Sequence, residues 1–270
     1  MHYAWWLTKQ SPRDGVEIFI RSPRARDMDP DEILERLERY DNQVIRSYLE
    51  YLVNNLKSEN PDYCTRLACS YIKDIRDEIK QNDGLGLLKE LVDDFKRDIN
   101  PYPADKDDDL SYSTFLGYLS TQKSQLRLVQ LRLVLIRFLQ RSNIYSPEIV
   151  MNALSEAGPL DIEKAIVFGK MNKHQESLDI LINELYDFVG AETYCVTNGH
   201  SAGIIPSTTV PVRSSSLSEK PLPSVEYVSS DQMTERGELF MMLFNTYLSI
   251  KDRCLNLYPM TGQLILYKSS

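Results

Sequence analysis

Along most of the first 197 positions apolar residues recur at spacings of three and four, a period that puts them on one side of an α-helix. Asp29-Pro30-Asp31-Glu32 marks a helix start. Asp29 suits the N-cap, proline fits the first helical position, and Glu32 stands where a capping box requires it. The stripe continues through Ile33, Leu34, Leu37 and Tyr40. Ile45, Tyr48, Leu49, Leu52, Val53 and Leu56 form the next stripe, the clearest in the chain. Asn60-Pro61 restarts the period, which Leu67, Ala68, Tyr71, Ile72, Ile75 and Ile79 carry to about Lys80, and Asn82-Asp83-Gly84 supplies a stop. A further helix is expected from about Leu85 to Ile99, ahead of Pro101.

After an acidic, proline-punctuated loop over 101–109, the pattern predicts helices over 111–120 and 125–140. In the second of these Arg127, Arg132 and Arg137 are five residues apart, so the helical wheel scatters them and leaves no broad polar face. Such a helix is expected to lie sandwiched between neighbours. Shorter helices follow, from Ser146-Pro147 to about Ser155, from Asp161 to Gly169, from His174 to Leu185, and from Asp187 to about Val196. Helices this short bury their faces only by stacking, which predicts an all-α fold. The expected architecture is an α-solenoid of antiparallel helical hairpins over 1–197, of the clathrin-heavy-chain or TPR kind. No exact repeat is evident, so the repeats are expected to be divergent. Residues 198–232, with Ser214-Ser215-Ser216, Pro206, Pro211, Pro221 and Pro223, are poor in large apolar side chains and read as a disordered insert. A solenoid helix resumes over 233–257, and 258–270 reads as an irregular tail with a strand-like run from Gln263 to Tyr267.

Charge narrows the function. Thirty-one basic against 39 acidic side chains leave −8, which argues against nucleic-acid binding and against direct attraction to anionic lipid. Any membrane association is expected to be peripheral and to run through partners. Cys64, Cys69, Cys195 and Cys254 show no metal-ligand or C-x-x-C spacing and read as reduced thiols. Met1 to Gln10 lacks the basic start and apolar core of a signal peptide. The most apolar stretch, Leu126 to Leu139, is too short and too charged to span a bilayer. The expected location is therefore cytoplasmic.

Candidates for chemistry are thin. Asp105, Asp107 and Asp109 alternate like the first ligands of a calcium loop, but Leu110 and Leu116 stand where glycine and the bidentate glutamate belong. Gly84-Leu85-Gly86 lacks the third glycine and the preceding strand of a dinucleotide site. His2, His174 and His200 are scattered, with no nucleophile in a recognisable relation to them. Tyr3, Trp5 and Trp6 form either an exposed partner-binding patch or packing for a solenoid whose preceding helices are absent from this chain. The serines of the insert could take phosphate, or the insert could be a passive linker. No catalytic, cofactor-binding or metal residue is assigned, and no cofactor is expected.

Phe138-Leu-Gln-Arg-Ser-Asn-Ile-Tyr145, the run from Ala165 to Leu185, and Tyr186-Asp-Phe-Val-Gly-Ala-Glu-Thr-Tyr-Cys195 resemble the vacuolar sorting protein 39 / TGF-β-receptor-associated protein family, most of all its receptor-associated branch. In that family a helix ends in Gly-Lys, a short turn carries His, the next helix has a small residue before Leu, and an Ala-Glu-x-Tyr-Cys helix follows. Here these are Gly169, Lys170, His174, Ser177, Leu178, Ala191, Glu192, Tyr194 and Cys195. Ala4-Trp-Trp-Leu7, Gly15-Val-Glu-Ile-Phe19 and Tyr48-Leu-Glu-Tyr-Leu-Val53 extend the likeness upstream. The resemblance implies a non-catalytic scaffold or tether subunit of a CORVET or HOPS type complex. Its implied partners are other Vps subunits and a Rab-type GTPase, and its implied location is peripheral on the endosome or vacuole membrane. Family members begin with a β-propeller and continue with more solenoid, so the chain is expected to be a fragment, an incomplete gene model or half of a split pair. A TPR-like regulatory adaptor unrelated to membrane traffic is the alternative, marked by a 34-residue recurrence that is not found. An enzyme assembled from distant loops is a third reading.

Overall fold

Helix starts and stops in this chain are set by a handful of prolines, caps and left-handed residues, and the computed structural model shows which of them act. It describes residues 2–81, 83–98, 114–121, 123–197, 199 and 230–257. Among these the fold is all-helical, with no strand. The acidic loop over 101–109, most of the insert and the 258–270 tail lie outside the described residues.

Two N-terminal helices, α1 (His2–Gln10) and α2 (Pro12–Arg21), were not outlined by the period reading. They form a tight hairpin because Gly15 of α2 lies against Thr8 of α1: a Cβ at Gly15 would meet the Thr8 backbone nitrogen at 2.6 Å. Thr8 turns its hydroxyl back to the Ala4 carbonyl at 2.7 Å, so the buried contact leaves no polar group unpaired there. After a one-turn 3-10 segment, α3 (Pro30–Leu37) starts as expected, with the Asp29 carboxylate accepting the Asp31 N–H at 3.0 Å. The second half of the capping box does not form. Glu32 pairs with Arg36 one turn on instead, an i,i+4 arrangement that suits an exposed helix face.

Helix α4 (Asn42–Glu50) leads through a π-turn at Tyr51–Asn55 to α5 (Pro61–Gln81), where all six expected apolar positions are buried. The stop after α5 is made by Asp83 in the left-handed region (φ 49°), while Gly84 is the first residue of α6 (Gly84–Asp98). Gly84 is needed for proximity: a Cβ there would meet the Ile79 Cα at 2.6 Å. Helix α7 (Phe115–Thr121) begins later than the 111 expected, with the Thr114 hydroxyl accepting the Gly117 N–H at 3.1 Å. Then come α8 (Arg127–Arg141), α9 (Pro147–Ala157), α10 (Asp161–Lys170), α11 (His174–Asp179) with a π-turn at Ile180–Glu184, α12 (Phe188–Val196) and α13 (Ser230–Leu257). Packing proceeds largely between near neighbours. Helix α5 meets α4, α6, α8 and α9; α10 joins α8, α9 and α11; α11 and α12 both meet α13.

The scattered arginines of α8 have three fates. Arg127 reaches the Glu78 carboxylate of α5 at 3.2 Å, Arg132 is buried against Glu163 of α10, and Arg137 is exposed. The helix is sandwiched, as its wheel indicated.

One local structure occurs twice. Both α4 and α11 end in a π-turn followed by a residue with positive φ, Lys57 (51°) and Tyr186 (59°). The closing hydrogen bonds correspond as well. Leu56 N–H donates to Tyr51 O and Ser58 N–H to Leu52 O, as Leu185 does to Ile180 and Asp187 to Leu181. Aligned on these bonds, Leu49-Glu-Tyr-Leu-Val-Asn-Asn-Leu56 overlies Leu178-Asp-Ile-Leu-Ile-Asn-Glu-Leu185. Three leucines and an asparagine coincide, and Glu50/Asp179 and Val53/Ile182 are near-equivalents. What recurs is a helix ending, a unit too short to be seen until its backbone geometry supplies the register.

Candidate interaction site

The residues singled out in the sequence for chemistry do not converge. Asp105, Asp107, Asp109 and His200 lie outside the described residues, as do the side chains of His2 and Cys254. Gly84-Leu85-Gly86 sits at the turn between α5 and α6, with no strand before it. Cys64, Cys69 and Cys195 are free thiols, and burial pushes each of them up, Cys195 to about 11. Among the described residues no group of three or more His, Cys, Asp or Glu is placed to hold a metal ion. Nor is any described helix long and apolar enough to cross a membrane.

The N-terminal aromatics divide into one packed ring and an exposed pair. Trp5 packs on Phe19 at 4.5 Å between ring centroids, with the Arg36 guanidinium 4.7 Å from its own ring. Tyr3 and Trp6 stack on each other at 5.8 Å and remain 66% and 56% exposed. A second apolar face stands on α13, where Phe240, Met241, Phe244 and Leu248 point away from Leu239 and Leu243, which are buried.

What does converge is the set Gly169, His174, Ser177 and Tyr194, drawn from three helices. Tyr194 of α12 places its hydroxyl 2.7 Å from His174 Nδ1 at the start of α11. Gly169, in the last turn of α10, faces Tyr194 and the Gly199 carbonyl. A Cβ there would meet the Gly199 carbonyl oxygen at 2.7 Å and the Tyr194 hydroxyl at 3.0 Å. The turn after α10 is made by Asn172 (φ 56°), so Gly169 serves close approach and not the turn itself. Ser177 is fully buried and donates to the Ala165 carbonyl at 2.9 Å, which lets α11 lie close on α10 without an orphaned hydroxyl. Lys170 bonds the Asn143 side chain, and the Cys195 thiol points at the Leu239 carbonyl at 3.5 Å, joining α12 to α13. Burial pushes the Tyr194 hydroxyl up to about 12. The cluster is a packing joint. Gly169→Ala is expected to destabilise the chain by about 1–3 kcal/mol, because backbone at Gly199 must retreat from the new methyl group. A thermal melt lowered by several degrees is the readout, and an unchanged Tm would show that the joint yields freely.

Asp187 and the Arg132–Glu163 pair, whose long-range partners the sequence did not reveal, hold the joint's surroundings. Asp187 is fully buried. Its carboxylate accepts the Gly190 N–H at 2.8 Å, capping α12, and the Phe115 N–H at 2.9 Å, at the start of α7. Burial pushes this carboxyl up to about 7, against the two backbone donors that pull it down. The capping half was legible, since aspartate opened the expected helix; the bond to Phe115 spans 72 positions and had no local signal. Arg132 and Glu163 form a two-pronged pair, Nε to Oε1 at 2.7 Å and Nη2 to Oε2 at 2.9 Å. Burial works to discharge the guanidinium, and the facing carboxylate overrides it. The Phe115 ring lies 5.9 Å from the same guanidinium, so α7, α8 and α10 meet there.

The chain is similar to several known proteins over nearly three quarters of its length. Over 197 residues it is 29% identical to transforming growth factor-beta receptor-associated protein 1 of Bos taurus, which covers 72% of this chain and 18% of that protein. It is 24% identical over 199 residues to vacuolar sorting protein 3 of Arabidopsis thaliana, 74% of this chain and 18% of the relative. It is 25% identical over 194 residues to the Vam6/Vps39-like protein of Homo sapiens, 72% and 19%. The chain therefore spans somewhat under a fifth of the length of the curated relatives it matches. No family profile matches it, and no solved structure matches it significantly. Over about 72% of its length this chain is similar to members of the vacuolar sorting protein 39 / TGF-β-receptor-associated protein family.

Proposed function

We propose that this chain is a non-catalytic scaffold that acts in endosomal or vacuolar vesicle tethering, through contacts with other Vps subunits and a Rab-type GTPase. The observation that carries the reading is the alignment with the receptor-associated and vacuolar sorting relatives over 197 and 199 residues. Supporting it, the positions that carry the resemblance, Gly169, His174, Ser177 and Tyr194, meet at one joint. They are thus explained by how helices stack and need no reaction to account for them. The serial packing of α8 to α13 and the recurring π-turn ending favour an α-solenoid, whose repeated faces bind proteins along their length. Membrane association then runs through partners, on the endosome or vacuole surface.

The test is affinity purification of the tagged 270-residue chain from extract of its own cells, with mass spectrometry of what remains bound. Recovery of Vps tether subunits above a tag-only control is the expected result. Their absence at both low and physiological salt would remove the tether reading and leave a helical scaffold of other use.

A further inference from the structure

Between the π-turn that ends α4, the middle of α5 and the second half of α8 lies an open cleft of about 350 Å³. Val53, Tyr71, Val134 and Phe138 supply an apolar floor, and Arg137 and Arg141 stand on its α8 wall. Val134, Arg137, Phe138 and Arg141 follow the spacing 0, 3, 4, 7, so one stripe of α8 alternates apolar side chains with guanidinium groups along the cleft.

The charges here are unevenly matched. Arg46, which also faces the Tyr71 ring, is tied to Asp74 and Glu50, and the Tyr71 hydroxyl donates to Glu50 at 2.8 Å. The inner polar groups are therefore satisfied within the fold. Arg137 and Arg141 are exposed, and neither is paired with a carboxylate among the described residues, in a chain that carries eight more negative than positive charges. Like charges four apart on a helix repel by a few tenths of a kcal/mol, a cost that an anionic ligand would relieve.

We propose that this cleft docks an acidic peptide segment of another protein, with an aliphatic or aromatic side chain on the Val134–Phe138 floor and carboxylates on Arg137 and Arg141. Guanidinium groups hold carboxylates in a two-pronged geometry, and they do so more strongly where an apolar floor excludes water. The cleft volume falls at the low end of the range for ligand pockets, about 300–1,000 Å³, which suits one or two anchoring side chains. Nucleic acid and anionic bilayers are disfavoured as occupants. Each needs a broad basic surface, which two guanidiniums do not make, whereas a short segment needs only as many carboxylates as the cleft has guanidiniums. The cleft stands on its own geometry, whether or not the chain serves in tethering.

The experiment is fluorescence anisotropy of the full 270-residue chain with a fluorescein-labelled peptide, Gly-Asp-Glu-Leu-Phe-Glu-Asp-Gly. Saturable binding at low salt that weakens as salt is added is expected. The double variant Arg137→Glu/Arg141→Glu should weaken it at least about tenfold, which corresponds to 1.4 kcal/mol or more. Arg21→Glu/Arg24→Glu changes net charge by the same amount on α2 and the turn after it, and should leave binding within about twofold. Replacing Leu-Phe in the peptide by Ser-Ser should also cost about tenfold. Circular dichroism confirms that each variant is helical before titration. The proposal is overturned by no binding to the unaltered chain, by equal losses in the two double variants, or by preference for an RNA oligonucleotide or anionic vesicles over the peptide. None of these outcomes bears on capture of Vps subunits, which other surfaces can mediate, so the two readings fail separately.

Discussion

Glu163→Ala is expected to lower the stability of the fold by roughly 3–5 kcal/mol, the usual cost of stranding one partner of a buried ion pair. Arg132 is 2% exposed, and its two bonds to Glu163 are its means of compensating for lost water. A guanidinium cannot shed its proton at any accessible pH, so without the carboxylate the charge stays buried or α8 moves to release it. The double variant Arg132→Met/Glu163→Leu is expected to recover most of the loss, since apolar groups of similar volume avoid desolvating either ion. Urea titration of the parent, the single variant and the double variant measures both changes. A single variant within about 1 kcal/mol of the parent would mean that water reaches the pair. The position of the pair, with the Phe115 ring beside it, makes the junction of α7, α8 and α10 the region expected to loosen first.

Asp187→Ala is expected to cost roughly 2–5 kcal/mol, because each buried N–H left without an acceptor costs about 1–3 kcal/mol and this carboxylate serves two. The loss should show as faster amide exchange at both Phe115 and Gly190, residues far apart in sequence, with the start of α7 and the start of α12 opening together. Exchange that accelerates at Gly190 alone would make Asp187 an ordinary helix cap. The same residue gives a pH dependence of definite sign. Its carboxyl stands at about 7 in the fold, raised by burial, against roughly 3.9 in the unfolded chain. The folded state therefore keeps a proton that the unfolded state gives up. The associated stability is complete below about pH 4 and is lost as pH rises through about 7. Urea midpoints measured between pH 5 and 8 should fall with rising pH, and more shallowly in Asp187→Asn, which does not titrate. Equal slopes would assign the dependence to other groups.

The joint at Gly169, Ser177 and Tyr194 shows how a resemblance turns into physics. Each of its members was visible as a motif position, and the helical hairpin it implied is present. The hairpin implied a close approach at Gly169, but the identity of the approaching group was not visible. It is the Gly199 carbonyl thirty positions away, and the turn that Gly169 adjoins is made by Asn172. The uncharted N-terminal hairpin has a related cause. Helices α1 and α2 meet through Gly15 against Thr8, a close approach of small residues that a period of apolar positions does not register.

Helix positions from Pro30 to Val196 were legible because amphipathic period, proline and cap residues are local properties: Asp29 bonds two residues on, and the stripe of α5 needs no knowledge of what covers it. The all-helical class follows from those stripes. The sequence also contained Leu49–Leu56 and Leu178–Leu185, yet their equivalence emerged only from matching π-turns, since half the positions differ and the register lies in backbone hydrogen bonds. Which of three arginines five residues apart would be buried, bridged or left free above a cleft was decided by tertiary structure alone. A helical wheel gives each side chain a direction, but charge burial depends on what stands opposite. For Arg132 that is Glu163, 31 positions away, and for the Phe115 N–H it is Asp187, 72 away.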